Sequence, residues 1–277
     1  MQKMQALGAP FNVEHSSNSD LKPKHFDWTI EDYPVKVFID GAIATGMSYQ
    51  KRAGEKKIAW VCESRAIFHS MHFPRDMWES ELKNIADSYD LLFVSEKDLV
   101  GKYPNIRYCP SGSNLPWVKD QQMFEKTKLV SMVASPKRFV FGHAIRHSVA
   151  EQLKDKIDLY GGALGSSRIG KDTWDKSEAL NDYMFSIVIE NDKYETYYTE
   201  KLTDCFATGT IPVYWGSPDI GNMFNKEGII ELIPGFDINV LTPELYYSKL
   251  EAVRDNFNRV KELISADDQL FEAIREN

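Results

Sequence analysis

The stretch from Tyr183 to Pro218 restricts what this chain can fold into more than any other part of it. Its run Phe185 to Ile189 is apolar without alternation, which suits a strand covered on both faces. The run stops at Glu190-Asn191, a polar tip where a parallel strand would deliver its carboxyl end. A tyrosine-rich polar loop follows, and Thr199-Glu200-Lys201 then opens a short amphipathic segment carrying Leu202, Cys205 and Phe206. Gly209 closes that segment, and Ile211 to Trp215 reads as a second buried strand. Strand, loop, helix and strand make a βαβ unit, and open parallel sheets bind ligands at the carboxyl ends of their strands. Thr199 is a good N-cap, so the positive end of the helix faces the same crevice, and Lys201 adds a full charge. Two readings stand at this point: an anion-binding site, or a structural crossover with a solvated lysine.

The rest of the chain reads as more of the same architecture. Residues 1 to about 25, including Ser16-Ser17-Asn18-Ser19-Asp20, are polar and aperiodic and read as a loose arm. Val35 to Asp40 is a short strand, Gly41 to Lys57 a polar loop, and Ile58 to Cys62 a strand ending at Glu63. Asp76 to Tyr89 places Trp78, Leu82 and Ile85 at helical spacing. Leu91 to Val94 and Ile106 to Cys109 complete a first α/β layer, and the charged Lys119 to Thr127 reads as a linker. A second series starts with the strand Lys128 to Ala134. A helix from about Gly142 to Leu153 follows, with Ile145, Val149 and Leu153 as its apolar stripe, and then a strand at Ile157 to Tyr160. Ala163 to Ala179 is loop-like and leads into Tyr183. Ser217-Pro218 reads as a helix start, Ile229 to Ile233 as a last strand, and Thr242-Pro243 as the start of one long helix. Two domains are expected, 1–125 and 126–277, with the last helix able to pack back on the first, and a cleft between them for ligands.

The bulk properties exclude several classes. The 277 residues are 43% hydrophobic and 27% charged, an ordinary globular balance. A net charge of -8 argues against a nucleic-acid partner. Cys62, Cys109 and Cys205 lie in apolar runs without metal-ligand spacing and read as core residues. No apolar stretch has membrane-spanning length and no signal-peptide layout opens the chain, so a cytoplasmic protein without an integral membrane segment is expected. Neither a phosphate-binding Gly-x-x-x-x-Gly-Lys-Ser/Thr loop nor a dinucleotide-binding Gly-x-Gly-x-x-Gly follows the first strand of either half.

Individual side chains carry the chemistry. Glu63 ends a buried strand in the first half, where partial desolvation would make it a general base; the alternative is a cap or a partner for Arg65. Arg146 lies beside the apolar stripe of its helix and has the fork geometry for a phosphate, or is an ordinary surface arginine. His143 and His147 stand four apart, and a solvated pair is preferred to a metal site because no third ligand completes the set. No Asp-x-Asp pair occurs, so protein cations are expected to neutralise any leaving diphosphate.

From Glu190-Asn191 through Tyr197, Thr199-Glu200-Lys201 and Gly209-Thr210-Ile211-Pro212-Val213-Tyr214-Trp215-Gly216-Ser217-Pro218, the chain resembles the donor-binding signature of the α1,3-fucosyltransferases of glycosyltransferase family 10. It is most similar to the bacterial members that build Lewis-type antigens. Upstream, Leu129 to Ser135 followed by Arg146 is similar to that family's strand and donor-contacting arginine. The resemblance spans about residues 128 to 235 and is weak in the first half. The loop Asp192-Lys193-Tyr194-Glu195 departs from the small polar residues of the family.

The resemblance implies a GT-B fold, with two Rossmann-like parallel α/β domains facing across a cleft. The first would be the acceptor side and the second the nucleotide-sugar side. It implies an inverting transfer, classically of fucose from GDP-fucose to a glycan hydroxyl. No cofactor is required, and a divalent metal is at most stimulatory. Carried over residue by residue, Arg146 and Lys201 neutralise the diphosphate, and Glu200 holds the ribose hydroxyls. Tyr197, Asn191 and Thr199 complete the nucleotide-sugar contacts, Glu190 is a nearby orienting carboxylate, and Glu63 is the base. The competing readings are a transferase using another nucleotide-hexose and a nucleotide-sugar or glycan-binding protein without turnover.

Overall fold

Strands that are apolar on both faces need cover on both faces, and each of two parallel sheets obtains it from crossover helices together with a helix from the C-terminal segment. The computed structural model describes residues 2–8, 21–166 and 176–276. They group into two compact units. One comprises Met1–Asn114, Glu195–Tyr197 and Ile264–Asn277; the other comprises Leu115–Tyr194 and Tyr198–Leu263.

The first unit contains β1 (Gln2–Leu7), β2 (Phe26–Thr29), β3 (Val35–Ile39), β4 (Lys56–Trp60), β5 (Leu91–Val94) and β6 (Ile106–Tyr108). These make one sheet in the order β2-β1-β3-β4-β5-β6, parallel throughout. Its helices are α1 (Ala42–Met47), α2 (Arg65–Met71), α3 (Arg75–Asp87) and a final helix, α9 (Ala266–Arg275). Successive residues of β4 divide between the two faces, as the pleat requires. Ile58 and Trp60 join Leu270, Phe271 and Ile274 of α9 in one cluster. Ala59 and Val61 join Phe68, Trp78, Leu82 and Ile85 of α2 and α3 in the other.

The second unit contains β7 (Lys128–Val133), β8 (Asp158–Tyr160), β9 (Tyr183–Ile189), β10 (Ile211–Trp215) and β11 (Ile230–Glu231). Their order is β11-β10-β9-β7-β8, again parallel, so β9 sits in the middle. All seven residues of β9 are buried. Phe185, Ile187 and Ile189 pack with Ala150 and Val253, from α4 (Phe141–Leu153) and α8 (Leu250–Lys261). On the other face Val188 packs with Leu202, Cys205 and Phe206 of α6 (Glu200–Ala207). The remaining helices are α5 (Ser177–Leu180) and α7 (Pro243–Ser248).

Several sequence expectations change. Gln2–Leu7 is not a loose arm but strand β1, between β2 and β3, burying Met4, Gln5 and Ala6. Two glutamines and no β-branched residue hid it. Ser16 to Asp20 lie outside the described residues. Within the expected loop Gly41 to Lys57, Ala42–Met47 is helical and buries Ile43 and Gly46. Ser217 does not start an α-helix. Its hydroxyl donates to Asp219 at 2.5 Å, and only a 3₁₀ turn, Ile220–Asn222, follows. The long helix expected from Thr242 breaks at Lys249 into α7 and α8. Lys126, in the stretch read as a linker, is a buried anchor. Its Nζ donates to the carbonyls of Leu180 (3.1 Å), Asn181 (2.9 Å) and Thr208 (2.7 Å) and to Thr210 Oγ1 (3.0 Å). Among the described residues, no helix is long and apolar enough to cross a membrane.

Candidate functional site

The residues singled out in the second half converge on the carboxyl end of β9. Glu190 follows the strand directly and is fully buried. Its Oε1 accepts the backbone N–H of Thr199 at 2.9 Å, and its Oε2 accepts the Thr199 hydroxyl at 2.8 Å. One carboxylate thereby fixes both the end of β9 and the N-cap of α6. Burial pushes this carboxyl upward, and Lys201, with Nζ 3.6 Å from Oε2, opposes that shift. A Cβ at Gly216 would lie 2.2 Å from the Tyr214 hydroxyl and 2.8 Å from Glu190 Cγ. Glycine is required there for Glu190 to occupy its place.

Every residue of α6 except Lys201 is buried, including Glu200 and Asp204. Four positions apart, these two carboxylates share a helix face, and Lys176 lies between them, 3.1 Å from Glu200 Oε1 and 2.7 Å from Asp204 Oδ2. The other oxygen of Asp204 accepts the backbone N–H groups of Trp117 (2.6 Å) and Val118 (3.0 Å). Lys176 also stands 5.1 Å from the centre of the Trp117 ring. Lys201 Nζ reaches Glu200 Oε1 at 3.3 Å and Thr199 Oγ1 at 3.0 Å. Burial acts to raise the Glu200 carboxyl, but Lys176 and Lys201 outweigh it and hold it at about 2. Glu200 is therefore an oriented, ionised acceptor, the state in which a carboxylate grips neutral hydroxyl donors.

Arg146 is not a surface arginine. It is 5% exposed, and its guanidinium donates to the Ile189 carbonyl at 2.5 Å and to Asn191 Oδ1 at 3.2 Å. This places a permanent cation against the same strand end as Glu190. Helix α4 reaches it because Gly142 has no side chain: a Cβ there would come within 2.2 Å of the Glu190 carbonyl oxygen and 2.6 Å of that of Asn191. No side chain caps α4 at Val140, so its positive end adds to the field at this edge.

His143 and His147 are not a solvated pair but buried packing residues. His143 Nδ1 accepts the Phe139 N–H at 3.1 Å, and burial, with Arg146 next, pushes this imidazole down to about 4. His147 Nε2 lies 3.2 Å from the Lys137 carbonyl. No group of three metal-ligating side chains occurs among the described residues.

Glu63 and Tyr197 belong to the other unit. Glu63 is half-buried at the carboxyl end of β4, and its N–H donates to Asp40 Oδ1 at 3.2 Å. The cap of the following helix is Ser64, not Glu63: its hydroxyl accepts the Ile67 N–H at 3.3 Å. Tyr197 is buried. The preceding Thr196 holds a left-handed φ of 63°, with its hydroxyl directed to the Ser95 carbonyl at 3.3 Å. Sequence reading thus found the ends of β9 and α6 but missed Lys176, Asp204 and Gly142. For Asp204 a signal existed in its helical spacing from Glu200; for Lys176, a lone lysine before a short helix, none did.

Residues 123–234 match the family profile "Glycosyltransferase family 10 (fucosyltransferase) C-term". The chain is 32% identical over 88 residues to the alpha-(1,3)-fucosyltransferase FucT of Helicobacter pylori, an alignment covering 32% of this chain and 18% of that protein. It is 46% identical over 65 residues to a fucosyltransferase-like protein of Arabidopsis thaliana, covering 24% of this chain and 12% of the other. The matched parts are therefore under a fifth of the length of these relatives. Among solved structures, an α1,3-fucosyltransferase superposes over all of this chain and 90% of its own length, with a TM-score of 0.54 at 13% identity. TarM superposes over 87% of this chain and 54% of its own, with a TM-score of 0.53. At such identity the likeness is one of fold: two parallel-sheet α/β units of the GT-B class.

Proposed function

Because residues 123–234 match the glycosyltransferase family 10 (fucosyltransferase) C-terminal profile, we propose that the protein transfers fucose from GDP-fucose to a hydroxyl of a carbohydrate acceptor, with inversion at the anomeric carbon. The observation that carries this reading is the arrangement at the carboxyl end of β9. There an ionised Glu200 lies beside Lys201, and Arg146 is anchored on the same strand end. Solved α1,3-fucosyltransferases with GDP and with GDP-fucose share the fold, with TM-scores of 0.55 and 0.50.

In this reading Glu200 accepts hydrogen bonds from the ribose hydroxyls. Lys201 and Arg146 stabilise the negative charge that grows on the β-phosphate as the bond from the sugar C1 to its oxygen breaks. Glu190 and Thr199 hold the start of α6 in register, and Asn191 and Tyr197 complete the contacts to the nucleotide sugar. Glu63 removes the acceptor hydroxyl proton as the new C1–O bond forms. Inversion needs one carboxylate acting on the acceptor, unlike the paired carboxylates of retaining hydrolases. The first unit takes the acceptor and the second the donor. Protein cations balance the diphosphate, so chelation of divalent metal is expected to leave a substantial rate.

The test is an incubation with GDP-fucose and a panel of oligosaccharides, read by NMR of the product linkage. A fucoside of anomeric configuration opposite to the donor's is expected. Retention would refute the single-base mechanism. Transfer from a UDP-hexose in preference to GDP-fucose would move the donor assignment to another nucleotide-hexose.

A further inference from the structure

Asp40 is a buried carboxyl that the mechanism above leaves without a role. It follows β3 with a left-handed φ of 45°, a conformation that costs a non-glycine residue energy. It is 1% exposed. Its backbone N–H donates to the Trp60 carbonyl at 3.0 Å, and its carbonyl accepts the Ile43 N–H at 3.0 Å, so the turn itself is secured. Its Oδ1 accepts the N–H groups of Cys62 (2.9 Å) and Glu63 (3.2 Å). Its Oδ2 is buried and has no hydrogen-bond partner among the described residues. Half of the carboxyl is thus a clamp and the other half is unsatisfied, which buried polar groups rarely are.

Among the described residues no cation counts among the influences on the Asp40 carboxyl, which are burial, Glu63 and the two backbone N–H groups. From β4 and the residues after it, Glu63 and the Cys62 thiol face it. From α9, Asp267 approaches Cys62 and accepts the Trp28 indole N–H at 2.8 Å. From the end of α2, His72 packs on Gly41, where a Cβ would lie 2.9 Å from its Nδ1.

We propose that Asp40 is a positioning residue for Glu63: one oxygen clamps the backbone that carries the base, and the other holds a proton whose release to solvent raises the basicity of Glu63. The inference rests on the reading of Glu63 as the general base. Burial first, and the adjacent Glu63 second, push the Asp40 carboxyl up to about 7. Above that pH a second negative charge stands beside Glu63, and a like charge strengthens a neighbouring carboxylate as a proton acceptor. The Asp40 proton then sets the acid limb of the rate profile.

The test compares wild type, Asp40→Asn, Asp40→Ala and Glu63→Gln. The wild-type kcat/KM profile is expected to rise through about pH 7. In Asp40→Asn, which keeps the clamping oxygen, that step disappears and kcat falls about threefold to tenfold at pH 8 while GDP affinity is unchanged. Asp40→Ala also loses the clamp and falls further. Carboxyl-carbon NMR of the wild type gives a readout that no variant's folding can obscure. A resonance assigned to Asp40 should titrate near 7 and move to lower pH in Glu63→Gln. Asp40 titrating near 4, or an Asp40→Asn profile with the wild-type midpoint, overturns the proposal. An active Glu63→Gln would instead overturn the base assignment on which it rests.

Discussion

Replacing Lys176 by Met removes the cation between Glu200 and Asp204, and its effect can be worked from the geometry. Both carboxylates are buried and within 3.1 Å of the ammonium group. Breaking such a buried arrangement by deleting one partner typically costs about 3–5 kcal/mol, because the remaining charges are stranded. The protonation of Glu200 gives an independent figure. Its carboxyl is held at about 2 against an ordinary 4.5, and each pH unit is worth about 1.4 kcal/mol. The shift is therefore worth about 3 kcal/mol at neutral pH, shared between Lys176 and Lys201. The sign is that of a depressed carboxylate. The stabilisation is fully present above the unfolded value of 4.5 and is lost as the pH falls toward 2. Urea unfolding followed by tryptophan fluorescence should show Lys176→Met destabilised by about 3 kcal/mol at pH 7. That gap should shrink by roughly half at pH 3, where Glu200 takes up a proton on unfolding. Freed of its orienting cation, Glu200 should also hold the ribose less well, weakening GDP binding by about tenfold. A variant as stable as wild type at pH 7, or a gap that does not narrow in acid, would refute the reasoning.

Further outcomes follow from neighbouring contacts. Arg146→Lys keeps the charge but loses the planar guanidinium whose Nη2 donates to both the Ile189 carbonyl and Asn191; GDP affinity measured by calorimetry should fall by about 2 kcal/mol. Gly142→Ala forces a Cβ against the Glu190 carbonyl, so the melting temperature should drop and GDP binding should weaken together. Lys126→Met removes the ammonium donor from the carbonyls of Asn181 and Thr208, and leaves that of Leu180 with the Thr210 hydroxyl. It should cost about 2–4 kcal/mol in urea unfolding while leaving the GDP affinity of the folded fraction intact. Incubation with EDTA should leave most of the transfer rate, and a rate abolished by chelation and restored by a divalent ion would overturn the metal-independent reading.

The sequence displayed the second sheet well because its signals are local. An unbroken apolar run of strand length suits a covered strand, and Thr199 before a short amphipathic segment suits a cap. The structure returns both, with β9 central and Thr199 capping α6. What sequence could not display depends on partners distant along the chain. Gln2–Leu7 reads as a polar tail and becomes a strand only because β2 and β3 flank it. Lys126 and Lys176 look like any solvated lysine until their acceptors at 180–181, 208–210 and 200–204 are assembled around them. Asp40 and Glu63 are separated by 22 intervening residues, and only the pairing of β3 with β4 brings the Asp40 carboxylate onto the Glu63 backbone. The resemblance to the fucosyltransferase signature named the candidate donor-side residues, but not the buried partners, such as Lys176 and Asp204, that fix the charge and orientation of Glu200.

The most direct measurement is calorimetric titration of the wild type and Lys201→Met with GDP and with UDP. The account predicts that GDP binds more tightly than UDP, and that Lys201→Met weakens GDP binding by about 2 kcal/mol through loss of one charge-assisted contact to the diphosphate. UDP binding as tightly as GDP, or equal GDP affinity in the two proteins, would contradict it.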